Sequence, residues 1–599
     1  MQGTIDEQIE ACLLHISKLE KELWSPELTS SVQSPLPNPL TLSGEGVLEE
    51  YQTAFQQLEQ LIALKGEDQR HEFVIVIPVA DRPQHLESCL NSLLYLCKTF
   101  GYGGYAENRF QKVSVIIADD SREAASINKN KAIADDANRK GLSTLYFGLE
   151  EQLVTIKTVV ANDGEALHRI LGNISHEAFY HKGPSIMRNI VYLKLNEIKK
   201  ENILFYFIDS DQEFQLKICT PAGDRNIYAC NYLYYLDQIF SSTDACILTG
   251  KVVGDPPVSP AVMSGNFLDD VIIFLSQIAG YDPSHPCQFH GNAQHNNDEA
   301  SYHDMAALFG FKSSTEPYQY QCSLAGVHSN EQCFKHFSIK LIRFFYGEHP
   351  TRKTYYHHED FLASVKPART VYTGNYIFKP DALKYFIPFA PLKLRMAGPV
   401  LGRIIKAEVS SQFVSANLPM LHKRTVRGTG QSEFRPGLSA DTGIIDLSGE
   451  FERQFYGDVM LFSIEKLIAM GYPQQKINNE LIVQTVKATQ ATMLKHYHDQ
   501  RNSIVTRLNS LNILFSGQGN WWNQATKNSE ANHNLQTFII NVDHNFGDKS
   551  EVYGLLDSPS NKGKRFAEIV ESIARYAEDR ALWSDALLNS TSVTPQTAQ

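Results

Sequence analysis

"NILFYFIDSDQEFQL", residues 202–216, carries an unbroken apolar run, Ile203 to Ile208, that ends in Asp209-Ser210-Asp211. A short apolar run bounded by polar residues reads as a strand covered on both faces. Asp209 and Asp211 are two residues apart, so in an extended segment they share one side. At a strand tip both can point at one spot beyond the sheet. Two carboxylates that close repel unless a cation or hydrogen-bond donors lie between them. Hard divalent ions such as Mg2+ or Mn2+ take carboxylate, phosphate and water oxygens, so the pair suits a metal-bound diphosphate. An isolated D-x-D is more often a cap for the next element; a buried strand in front of it strengthens the metal reading.

The surroundings repeat the pattern. "FVIVIPV" (73–79), "VSVIIADDS" (113–121) and "ACILTGKVV" (245–253) are further apolar runs rich in β-branched residues. "RPQHLESCLNSLLYLC" (82–97) and "SIMRNIVYLKLNEIKK" (185–200) have helical spacing between them. Alternating strands and helices predict an α/β fold with a mostly parallel, Rossmann-like central sheet. Ligands of such sheets sit at the carboxyl ends of the strands, where both "ADDS" and "DSD" fall. In front of this unit, helical patterns over 5–24 and 47–64 flank a Pro/Ser-rich linker, giving an extension over 1–70 for packing or oligomerisation. The sheet's first half spans 71–254. A second half, 255–430, carries an irregular insertion over 255–350 that faces substrate. Residues 431–599 are mainly helical, with apolar faces that permit a homodimer.

Composition narrows the class. Of 599 residues, 43% are hydrophobic and 20% charged, as in ordinary globular proteins. The net charge of −12 disfavours a bulk nucleic-acid partner. The nine cysteines lack CxxC spacing and are odd in number, which argues against a disulfide framework or a zinc knuckle and for reduced thiols in the cytoplasm. The N-terminus carries acids early and does not read as a signal peptide. No apolar run approaches 18 residues, so no membrane span is expected.

"FVIVIPVADRPQHLESCLNSL", "VSVIIADDS" and "FYFIDSDQEF" together resemble the nucleotide-sugar half of GT-A glycosyltransferases. The resemblance is in particular to family 2 and its retaining relatives such as the mannosylglycerate and glucosyl-3-phosphoglycerate synthases, over roughly residues 71–430. The resemblance implies a metal-dependent hexosyl transfer from a nucleoside-diphosphate sugar, with Mn2+ or Mg2+ as cofactor. Pro78, Val79, Ala80 and Asp81 would lie against the nucleoside, and Asp120 or Asp119 would contact base or ribose. Asp209 and Asp211 would hold the ion, with Ser210 between them on the donor. "GPSIMRNIVYLKL" (183–195) is similar to the family's helix start, placing Arg188 and Asn189 on the donor and Arg188 in catalysis. "TGNYIFKPDAL" (373–383) is similar to a segment beside sugar and acceptor, here Gly374 and Asn375. In "LPMLHKRTVRGTG" (418–430), His422 would complete the metal shell, and Lys423, Arg424 and Arg427 would belong to a closing basic loop.

One departure bears on stereochemistry. Inverting relatives present an acidic pair near the acceptor as general base, and "LRMAGPVLGRII" (394–405) has no acid there. Glu359 or Asp360 would then serve; otherwise the reaction retains configuration and needs no protein base, which is the favoured expectation. The acceptor stays open among a small metabolite, a glycan, a protein and a modified base. Two rivals stand beside this reading. One is a nucleotidyltransferase, although "PVADRPQHLE" is not a glycine-rich phosphate loop. The other is a carbohydrate- or nucleotide-binding regulator on a weakened transferase fold. His285, His290, His295 and His303 lack metal-ligand spacing and read as a polar loop, and only one of the adjacent His357 and His358 can face a site.

Overall fold

The computed structural model describes residues 4–25, 42–66, 68–160, 164–174, 179–220, 223–289, 320–324, 326–441, 443–524, 529–548 and 550–590. His290, His295 and His303 fall outside them.

A nine-stranded mixed sheet organises the chain. Its strands are β1 (Glu72–Val79), β2 (Val113–Asp119), β3 (Ser143–Phe147), β4 (Ile203–Ile208), β5 (Gln212–Glu213), β6 (Ile247–Gly254), β7 (Lys366–Pro367), β8 (Asn375–Phe378) and β9 (Phe413–His422). The order is β7-β9-β6-β8-β4-β1-β2-β3, with β5 beside β9. Neighbours β4, β1, β2 and β3 run parallel, as do β6 and β9. β8 is antiparallel to both β4 and β6 and joins the two parallel groups. The sheet is therefore mostly parallel, as expected, with an antiparallel strand at its centre.

Strand alternation divides the interior in two. Val74, Val76, Phe205 and Phe207 enter one apolar core, while Phe73, Ile75, Leu204 and Tyr206 enter the other. The first core takes helix Pro184–Ile198 and the helices that follow residue 448. The second takes the N-terminal helices Ile5–Leu23 and Leu42–Lys65 with helices Pro83–Phe100 and Tyr232–Ser242. Phe55 of the extension makes edge-to-face contacts with Phe100 and Tyr234, and Tyr51 shares a 3.0 Å hydrogen bond with Tyr235. The extension is thus part of the second core.

Three features differ from the sequence reading. Part of 255–350 is regular, with helices Pro260–Ala279 and Asn330–Lys340. Pro260–Ala279 is also long and apolar enough to cross a membrane, contrary to expectation. More than half of its most apolar window is buried inside the protein, and it ion-pairs through Asp270 to Arg352 and through Asp269 to Arg507, which fits a core helix. Strand β9 was hidden by the polar residues Ser415 and Asn417 inside its buried run. Asn417 is tolerated there because its side chain donates to the His357 carbonyl and its backbone N–H donates to Ser364 Oγ.

Phe55→Ala should therefore destabilise the whole chain by about 3–5 kcal/mol through a buried cavity. Leu64→Ala, at a side chain 71% exposed, should stay within about 0.5 kcal/mol. Denaturant midpoints measure both.

Candidate functional site

The ends of β1, β2, β4 and β9 open into one cavity of about 570 Å³, within the range of small-molecule sites. Pro78, Val79 and Ala80 line it from β1, Asp120 from β2, Asp209, Ser210 and Asp211 from β4, and His422 and Arg424 from β9.

Asp119 and Asp120 divide their work. Asp119 is buried below the cavity and accepts from Ser121 N, Asn130 Nδ2 and Tyr146 Oη at 2.9, 3.0 and 2.7 Å; it holds the turn. Asp120 faces the cavity, where it pairs with Lys182 Nζ at 2.7 Å and accepts from Gly183 N. Asp81, with left-handed φ of 48°, does not line the cavity as expected. Its carboxylate accepts from Arg122 N and Glu123 N at a helix start and bonds His181 Nε2 at 2.5 Å. It thereby positions His181, which does line the cavity and stacks on Phe434 at 4.2 Å.

Helix Pro184–Ile198 starts beside these groups, with proline in its first turn. Arg188 is 2% exposed and donates to Asp209 Oδ1 at 2.6 Å and to the Thr373 carbonyl at 3.0 Å. Asn189 points away from the cavity, contrary to expectation: its amide donates to the carbonyls of Ile170 and Ile387 and accepts from Ile387 N.

Gly374 serves a side chain rather than a ligand. A Cβ there would lie 2.7 Å from Asp209 Oδ2 and 3.0 Å from Gln212 Nε2. Asn375 is also corrected. It is fully buried, bonds the carbonyls of Lys251 and Leu418, and accepts from Tyr206 Oη. Glu359 and Asp360 do not line the cavity either. Glu359 lies 3.7 Å from Lys251 with its side chain 55% exposed, and Asp360 accepts from Ala363 N.

Past β9 the side chains alternate. His422 and Arg424 face inward, while Lys423 turns away to Glu213 at 2.6 Å. Arg427 is exposed and outside the cavity wall. His422 Nδ1 donates to the Asp255 carbonyl at 2.7 Å. In the neutral ring this leaves the Nε2 lone pair towards Asp211 Oδ1, 3.6 Å away. Asp255 Oδ2 also accepts from Arg424 N, so one acid that the sequence reading passed over positions both groups.

Asp211 is the most constrained acid of the site. Arg82 Nη1 lies 3.1 Å from its Oδ2 and Arg424 Nη1 3.7 Å. Burial opposes its ionisation, but His422 when its ring is charged, then Arg82 and Arg424, hold the carboxyl well below its usual range. Oδ1 is buried without a hydrogen-bond partner. An orphaned carboxylate oxygen facing an imidazole lone pair fits a divalent cation. Asp209 fits it less well, because Arg188 already occupies one oxygen. Among the described residues, Asp209, Asp211 and His422 do not form a set with three ligand atoms within 4.8 Å of one another. The expected trio reduces to Asp211 and His422, with Asp209 beside them.

The far wall comes from residues beyond 390, which sequence reasoning missed. Segment 432–437 crosses the cavity. Glu433 accepts from Gln84 N and His85 N at the start of helix Pro83–Phe100, and Arg82 Nε donates to the Phe434 carbonyl at 2.6 Å. Glu450 is bound by Arg435 at 2.7 Å and Arg395 at 2.8 Å. In all, eight Lys or Arg side chains line the cavity against four carboxylates, a surplus that suits a polyanionic ligand.

Glu450 offers a titration test. Burial pushes its carboxyl up, but Arg435 and Arg395 bring it down to about 2 from an ordinary 4.5. Its stabilisation is therefore complete above about pH 4.5 and is lost as the pH falls towards 2. Glu450→Gln should cost about 3 kcal/mol at neutral pH. The gap to the native protein should narrow below about pH 4.5 in urea titrations.

No family model matches this chain, and no curated protein matches it either.

Proposed function

We propose that the cavity binds a nucleoside-diphosphate sugar and that the chain is a metal-dependent glycosyltransferase of GT-A type. The observation that carries this reading is the meeting of a cationic surplus with Asp211 and His422 at the strand ends. The order β3-β2-β1-β4, followed by the antiparallel β8, supports the fold assignment. In the proposal the nucleoside lies on Pro78, Val79 and Ala80, and Asp120 takes a hydroxyl of the ribose. Arg82, Arg188 and Arg424 rest on aspartates. They exchange those carboxylates for diphosphate oxygens when donor arrives, since guanidinium pairs equally well with either. Asp211 and His422 would hold Mn2+ or Mg2+, which supplies Lewis-acid neutralisation of the leaving diphosphate.

Retention of configuration is the favoured course. The four carboxylates of the cavity are each ion-paired, to Lys182, Arg188, Arg82 and Arg435. Asp120 and Glu450 keep those partners when donor arrives and Asp211 turns to the ion, which leaves Asp209, released by Arg188, as the one lining carboxylate an inverting course would use as base; the proposal assigns it none. The acceptor proton then passes to the leaving diphosphate oxygen, as the sugar's anomeric carbon exchanges that oxygen for the acceptor's. The buried thiols of Cys12, Cys89 and Cys97 fit a reducing compartment, so the proposal places the chain in the cytosol.

The same ion pairs favour a second reading. If Arg82 never leaves Asp211, the cavity holds nucleotide-sugar without turnover and the protein is a regulator. Thermal melting with Mn2+ and a panel of nucleoside-diphosphate sugars, followed by mass spectrometry of the products, separates the two. A transferase shows metal-dependent stabilisation by one donor, with its hydrolysis or transfer. Stabilisation without turnover supports the regulator, and no stabilisation by any donor ends both readings. Asp211→Ala should lower turnover about 10³-fold with the far-ultraviolet spectrum unchanged; unaltered turnover removes the mechanism. Gly374→Ala should displace Asp209 and cost about 10- to 100-fold in turnover, measured on the same donor.

A further inference from the structure

Beside helix Pro260–Ala279, away from the cleft residues, lies a second cluster of metal-ligating side chains. Cys287, Cys322, His328 and Cys333 place one ligand atom each within 4.8 Å of one another. Cys322 Sγ and His328 Nε2 are 3.3 Å apart. Tetrahedral zinc, with bonds of about 2.3 Å to sulfur and about 2.0 Å to nitrogen, separates S from N by about 3.5 Å and S from S by about 3.8 Å. The Cys322–His328 separation is close to the S–N value, and the 4.8 Å bound on all four ligand atoms leaves room for the S–S value.

Local structure explains the convergence. Ser329 and Gln332 form a capping box that starts helix Asn330–Lys340. His328 stands just before the cap, and Cys333 faces inward from the first turn, fully buried. Backbone bonds then clip the other two cysteines to this corner. Cys287 N donates to the His328 carbonyl at 2.8 Å, and Cys322 N donates to the Phe289 carbonyl at 3.0 Å. A bridge between Pro286 and Ser329 aligns the segments. In chain order the ligands are separated by 34, 5 and 4 residues, so no paired zinc spacing was visible and a zinc site was not expected.

We propose that this cluster binds one structural Zn2+ through three thiolates and one imidazole. The surroundings meet the requirements of such a site. His328 Nδ1 donates to the Gly326 carbonyl at 2.9 Å, which fixes the tautomer with Nε2 as ligand. The helix start lends positive potential to Cys333. Three thiolates, a neutral imidazole and a dication leave one negative charge, and Lys340, which interacts with Cys322, offsets it. Three thiolates and an imidazole select zinc over the hard ions proposed for the cleft, so the two sites do not compete.

The full chain, purified without a histidine tag and dialysed against Mn2+ buffer, should retain one zinc per molecule by elemental mass spectrometry. Cys322→Ser with Cys333→Ser should lose it, and His328→Cys should keep it. Should the double variant not fold, the unaltered chain still decides. Replacing its metal with Co2+ should give the intense visible bands of tetrahedral thiolate coordination, and chelation should lower its melting temperature. A folded chain without zinc, a mapped disulfide joining two of these cysteines, or zinc retained in the folded double variant would overturn the proposal.

Discussion

The candidate site depends on one short piece of backbone pairing. β5 meets the end of β9 antiparallel, with Glu213 opposite Leu421 and Gln212 opposite His422, and Lys423 N donates to the Asp211 carbonyl. This pairing joins residues 210 positions apart in the chain. It leaves Asp211 and His422 little freedom to separate, because both are anchored by main-chain hydrogen bonds rather than by side-chain choice. Arg424 then follows from strand alternation, and Asp255 secures it together with the ring of His422.

Charge density in the cleft is high, and it is tolerated because nearly every charge has a partner. Burying Asp211 or Glu450 alone would cost several kcal/mol. Each instead lies against two or more cations. Such pairing adds little net stability compared with an apolar core, so stability alone does not account for it. A set of guanidinium groups already gathered by internal carboxylates can meet an incoming anion by exchanging one oxygen partner for another, with little movement of the backbone. Asp211 Oδ1, left without a donor, marks where that internal compensation stops.

Legibility in the sequence followed locality. β1, β2, β4 and β6 were plain because parallel interior strands are continuous apolar runs, and the acids at their ends could be placed from strand direction alone. Arg188 was reached through a helix start, but its neighbour Asn189 was misjudged, since one residue along a helix turns the side chain by about 100° and only packing shows which faces the cavity. Gly374 was singled out for the right reason, close approach, with the wrong partner. Glu359, Asp360 and Asn375 show the same limit: local pattern says polar, and tertiary register decides towards what. Arg82 was missed although it adjoins the Pro78–Asp81 turn, because its partner Asp211 lies 129 residues on. The cysteine cluster failed for a related reason, as spacing rules see only ligands that are close along the chain.

The region beyond 430 changes the most in meaning. By sequence it is a helical appendage; in the fold its helices complete one of the two cores, and Glu450 and Arg453 of helix Ser448–Ile468 reach the cavity wall. Glu450 bonds Ser259 Oγ as well as Arg435 and Arg395, so it ties the start of helix Pro260–Ala279 to the segment that crosses the cleft. Gly437 packs against the backbone of Gly449 and Glu450 so closely that a Cβ would lie 2.6 Å from Glu450 N. A molecule entering opposite Asp211 therefore meets a surface built by 390–453. Among the described lining residues, Arg395, Arg435 and Arg453 stand on that side, and Pro257 comes from the 255–350 region.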